Sequence, residues 1–80
     1  MRRDYRVYIH DILDAITTIE GYAEYKTLVE FLSNRMAIDA VVRNFEVIGE
    51  AAKRVPNSIR RGYPDVPWRK MAGIAGRAHT

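Results

Sequence analysis

Eighty residues allow one domain at most, spanning 1–80, and so short a chain buries only about 60–65% of its unfolded surface, which makes association the expected source of extra stability. The absence of cysteine excludes disulfides and thiolate zinc sites, two histidines (His10, His79) are too few for a metal cluster, and no apolar run approaches the 18 residues of a membrane span. The net charge of +3 hides a split: residues 1–52 carry six Lys/Arg against nine Asp/Glu, whereas residues 53–80 set Lys53, Arg54, Arg60, Arg61, Arg69, Lys70 and Arg77 against Asp65 alone.

Periodicity predicts a first helix from about Asp4 to Glu20. Its stripe is Tyr5, Tyr8, Ile9, Ile12, Leu13, Ile16 and Ile19, with Gly21 as the expected stop. His10 falls off that stripe beside Asp11 and Asp14, an exposed position. The charged start, MRRDYRVYIHD, lacks the apolar core of a signal peptide, so a cytoplasmic protein that leaves membranes alone is expected. After a connector over 21–26, Thr27–Leu–Val–Glu30 has the form of a capping box for a short second helix carrying Leu28, Val29, Phe31 and Leu32.

Ser33 or Asn34 can cap a long third helix, whose centre is Ala37–Val55. Ile38, Val41, Val42, Phe45, Ile48, Gly49, Ala52 and Val55 form one apolar face, and Asp39, Arg43, Glu46, Glu50, Lys53 and Arg54 the solvated one. Asp39–Arg43 and Glu50–Arg54 are i,i+4 pairs in the favourable order. A third sector of Ala40, Asn44, Val47 and Ala51 is small or apolar around one amide, and is read as a homodimer surface. Pro56 must end this helix. Asn57–Arg61 is expected to form one isolated turn, and Asp65 is the expected cap of a short last helix carrying Trp68, Met71, Ala72 and Ala75 inward, weakened by Gly73 and Gly76. Arg60, Arg61, Arg69 and Lys70 are the candidates for contacts to RNA phosphates, because guanidinium forks and ammonium groups match phosphate oxygens. The fold expected is all-α, an antiparallel helical bundle of about four helices.

Three blocks carry a resemblance: Asp4–Tyr–Arg–Val–Tyr–Ile–His–Asp–Ile–Leu–Asp–Ala–Ile16, Asp39–Ala–Val–Val–Arg–Asn–Phe–Glu–Val–Ile–Gly–Glu–Ala–Ala–Lys–Arg54 and Tyr63–Pro–Asp–Val–Pro–Trp–Arg–Lys–Met–Ala–Gly73. From Asp4 to about Gly73 the chain resembles HEPN-domain proteins of the HepT-like type, the toxin half of a pair with a minimal nucleotidyltransferase antitoxin. The resemblance implies a homodimeric helical bundle and a metal-independent endoribonuclease, with RNA as substrate. It also implies an active site made of an Arg, a polar residue and, four to six positions after the Arg, a His. A Tyr two residues beyond the His is commonly the acceptor of AMP from the antitoxin. In such a site a His titrating near neutrality moves the proton of a ribose 2′-OH or of the leaving oxygen, and the Arg stabilises charge on the phosphorus oxygens.

The last residues depart from that pattern. The residues left for the catalytic pair are Arg77 and His79, two apart and therefore about 200° apart around a helix. Ile74 stands five before His79, where the Arg of the motif belongs, and Thr80 follows without the Tyr. The end reads as altered or truncated relative to the family, and weak or absent RNA cleavage is expected. The alternative is a non-catalytic helical module that dimerises and docks on the nucleotidyltransferase. Direct nucleotide binding has little support, since Gly73–Ile–Ala–Gly76 is a poor phosphate cradle.

Overall fold

Three short polar side chains and two prolines decide where the helices begin and end. In the computed structural model, which describes residues 4–24 and 27–78, the elements in order are α1 (Tyr5–Ala23), α2 (Leu28–Leu32), α3 (Arg35–Arg54), α4 (Asn57–Gly62) and α5 (Trp68–Ala78). Among the described residues all regular structure is helical, as the periodicity predicts.

Asp4 caps α1 by accepting the Arg6 amide at 2.9 Å, and the Arg6 guanidinium closes on the same carboxylate at 2.6 Å. These hydrogen bonds from Arg6 lower the Asp4 pKa to about 2, so the cap remains an anion at the positive end of the helix. Thr17 and Thr18 donate their hydroxyls to the carbonyls of Leu13 and Asp14, each at 3.0 Å, so the hydroxyls of this β-branched stretch find partners within the helix. Gly21 does not stop the helix. No described glycine takes a positive φ, and α1 runs on to Ala23 with Glu24 as its cap.

Thr27 supplies its half of the capping box, its hydroxyl accepting the Glu30 amide at 3.0 Å. Asn34 caps α3 through the Ala37 amide at 3.0 Å. Pro56 then holds Val55 at ψ 126°, outside the helical region, and α3 ends at Arg54. Along its exposed side Glu50 reaches Lys53 at 3.4 Å and Arg54 at 3.3 Å. The expected Asp39–Arg43 pair is not among the ion pairs of the described residues. At such exposure either pair is worth only a few tenths of a kcal/mol.

Asp65 does not cap the last helix either. A proline at 67 disfavours helical backbone at Val66, so α5 starts only at Trp68, with the Pro67 carbonyl accepting the Met71 amide at 3.0 Å. Nor is α5 short, since it continues across Gly73 and Gly76 to Ala78.

The helices assemble around α3, which packs against both α1 and α5 and touches α2 lightly. Its heart is Ile12 and Ala15 of α1 with Ile48, Ala51 and Ala52 of α3, flanked by Tyr8, Ile19, Val47, Trp68 and Met71. Small residues (Ala15, Gly49, Ala51, Ala52) at the contact bring the helix axes close, and Ile12 and Ile48 fill what remains. Full burial of an isoleucine side chain contributes about 1.5–3 kcal/mol, so these two anchor the packing. The core is concentrated in the second half of α3. In the first half Ala37 is buried while Val41 and Val42 are half-buried, and Phe45, just past the midpoint, is 37% exposed, so part of the expected apolar face lies at the surface.

Candidate functional site

The basic segment that follows α3 is divided by the fold into one structural residue and three surface ones. A helix that ends at a proline leaves its last carbonyls without partners. Arg60, one turn into α4, folds back and supplies them: its Nε donates to the Val55 carbonyl at 2.9 Å, and its terminal nitrogen reaches that of Lys53 at 3.4 Å. Arg60 is thus largely committed to α3, which corrects its placing among the phosphate candidates. Arg61, Arg69 and Lys70 are exposed, and among the described residues no ion pair occupies any of them.

The turn between α4 and α5 is held by Trp68, whose indole N–H donates to the Tyr63 carbonyl at 3.1 Å while its ring packs on the core. Trp68 is therefore a packing residue, and its anchoring fixes the direction in which Arg69 and Lys70 leave the first turn of α5. Position 77 lies seven residues beyond Lys70, two turns along the same helix and within about 20° of the same side. Gly73, between them, is exposed with nothing within 4 Å of an added Cβ. One face of α5 thus leads from Lys70 toward the C-terminal end of the helix, where Arg77 sits. The Arg77 side chain and the whole of His79 lie outside the described residues.

The proposed pairing sector is only partly surface. Ala51 is 4% exposed within the chain's own core, so it has no area to share with a second copy. Ala40, Asn44 and Val47 are half-buried. The Asn44 amide donates to the Ala40 carbonyl at 2.8 Å, so its polar group has a partner inside α3. Beside this sector a shallow depression of about 490 Å³ gathers Tyr8 and Asp11 of α1 with Arg43, Glu46, Glu50 and Arg54 of α3. Its charges are mixed, with three carboxylates against two guanidinium groups. Among the described residues no three His, Cys, Asp or Glu side chains are grouped to hold a metal ion, and no helix is long and apolar enough to cross a membrane.

Residues 12–77 match the HepT-like ribonuclease family, described as ribonuclease HepT-like. The chain belongs to that family. HepT-like relatives accompany it at similar distance. A probable ribonuclease HepT of Thermococcus cleftensis is 40% identical over 72 residues, which are 90% of this chain and 66% of that protein. Several Methanocaldococcus jannaschii proteins carry "putative RNase" in their names. One of them is 38% identical over 73 residues, 91% of this chain and 60% of the relative. Another, also named a gamma-glutamylcyclotransferase, is 40% identical over 72 residues, 90% of this chain and 32% of the relative. The chain therefore spans about a third to two thirds of the length of these relatives. No solved structure matches it significantly. The HepT-like match includes Arg77 and stops before His79.

Proposed function

We propose that this HepT-like chain is the ribonuclease-type subunit of a toxin–antitoxin pair, that it binds RNA along Arg61, Arg69 and Lys70, and that it cleaves RNA weakly or not at all. The observation that supports an RNA-binding role is the division of the basic cluster. With Arg60 turned onto α3, the other three cations are exposed, carry no ion pair among the described residues and are directed by a turn that Trp68 anchors. Such a surface attracts a polyanion through counter-ion release, without selecting sequence. What supports the impairment is that Ile74 stands where the family's Arg would and that Arg77 lies only two positions from His79. A His without an adjacent cation can move a proton but leaves the charge on the phosphoryl oxygens uncompensated.

The same proposal has the chain pairing with a second copy across Ala40, Asn44 and Val47, and a nucleotidyltransferase antitoxin as its partner. A purely structural reading, a dimerisation module for that antitoxin, is favoured by the same Ile74 and fits if RNA is not bound at all.

The test is to incubate the purified chain with single-stranded RNA in chelator, following binding and cleavage from low to moderate salt. The expected results are binding that weakens steeply with salt, with a slope of about 0.7 per phosphate contacted, and at most traces of cleavage. A flat salt response would remove the basic face from the proposal. Robust cleavage that disappears in His79→Ala would overturn the impairment. Sedimentation of the same sample at tens of micromolar reports the pairing, and a strict monomer would exclude it.

A further inference from the structure

Tyr63 lies inside the basic segment, two residues after Arg61 and six before Arg69, and is 63% exposed. Its backbone is held firmly all the same. The Tyr63 amide donates to the Arg60 carbonyl at 3.1 Å, and its carbonyl accepts the Val66 amide at 3.2 Å and the Trp68 indole N–H at 3.1 Å. The indole packs against the core, so the Tyr63 ring is presented to water from a fixed point of the fold. Trp68 itself cannot play that part, because its N–H and its ring are both engaged within the chain.

Tyr63 also stands at the border of two unlike surfaces. With Ile59 and Val66 it lines an apolar hollow of about 610 Å³ between α1 and α5. Arg61, Arg69 and Lys70, its neighbours along the chain and across the Trp68 bond, are exposed and line no part of that hollow. A single nucleic-acid strand is divided in the same way, with charged phosphates along one edge and the flat faces of unpaired bases along the other. A duplex hides those faces in its own stack. We propose that Tyr63 is a base-stacking residue of the RNA surface. Phosphates lie on Arg61, Arg69 and Lys70, one unpaired base lies on the Tyr63 ring, and the surface therefore prefers single-stranded to double-stranded RNA. Because every base offers such a face, the contact selects strandedness and not sequence. A tyrosine has only two side-chain torsions to fix, and with its backbone already held it loses little freedom on contact. The inference rests on the RNA-binding reading of the basic face and adds to it a contact that carries no charge.

The chain and its Tyr63→Ala and Tyr63→Phe variants are titrated, in chelator and from low to moderate salt, with a labelled single-stranded RNA and with a duplex of the same length. Tyr63→Ala is expected to bind the single strand roughly 5- to 150-fold more weakly, the range for loss of one base–aromatic stack. Its salt slope should match that of the parent chain, since the ring neutralises no phosphate. Tyr63→Phe should keep the affinity, and duplex binding should be weaker and indifferent to both substitutions. A strand carrying 2-aminopurine provides a readout on the unaltered chain, whose binding should quench the probe by stacking, and circular dichroism checks that the variants fold. Unchanged affinity in Tyr63→Ala, an equal loss on the duplex, or binding without quenching at any probe position would overturn the stack. Those results, accompanied by a steep salt dependence, would leave the basic face standing. No binding by the parent chain, or a flat salt response, would remove the basic face and the stack together.

Discussion

Arg60 shows how a residue's chemistry is redirected by its neighbours. In the sequence it belongs to a run of cations, and nothing in its identity separates it from Arg61. The separating feature is Pro56, which ends α3 and leaves carbonyls that need donors within reach. Arg60 supplies two hydrogen bonds there, one at 2.9 Å and one at 3.4 Å, and bonds from a charged donor contribute more than neutral ones. Arg60→Met keeps the aliphatic stem and removes the donors. It is expected to cost about 1 kcal/mol in urea unfolding, whereas Arg61→Met, fully at the surface, should stay within about 0.5 kcal/mol. Equal effects of the two substitutions would return Arg60 to the surface cluster. Asn44 carries the same lesson in a smaller form. An amide among small residues suggests a pairing contact, yet its donor is engaged one turn back along its own helix.

Helix identity was legible in the sequence wherever capping chemistry and prolines agreed with periodicity. Asp4, Thr27 and Asn34 cap as their types predict, and α3 stops where Pro56 requires. The misreadings come from residues whose effect depends on context. Gly21 has the composition of a stop signal but no need of a left-handed conformation, and Asp65 has the chemistry of a cap but lies two residues before a proline. The continuation of α5 through Gly73 is the clearest case, because a weak helix former is carried by the packing of Trp68 and Met71 on the same helix. That makes Gly73 improvable. With helical backbone, an exposed position and open space around an added Cβ, Gly73→Ala is expected to stabilise the chain by about 0.5–1 kcal/mol. In a domain of this size that raises the Tm by about 2–8 °C in a thermal melt. A fall in Tm would mean that α5 does not continue through this position.

At the scale of the molecule, one long helix packs against both α1 and α5 and the rest of the chain is attached to it. The central position of α3 could be read from its stripe, which occupies more of the circumference than a surface helix needs. Which half of it forms the core could not, because that depends on where α1 and α5 cross it. The candidate site was legible as a composition, a basic end following a helical body, but not as an arrangement, since Arg60 and Trp68 acquire their roles only from tertiary contacts. In a chain of 80 residues the stabilisation must concentrate where Ile12, Ala15, Ile48, Ala51 and Ala52 meet, and α2, with Leu28, Val29 and Leu32 all largely exposed, adds little. Residue-resolved amide hydrogen exchange measures this distribution directly. The slowest amides are expected in the second half of α3, from Phe45 to Arg54, with the facing turns of α1 next and α2 exchanging fastest among the helices. Protection in α2 equal to that of α3, or a break in protection within α3 at Gly49, would contradict the account.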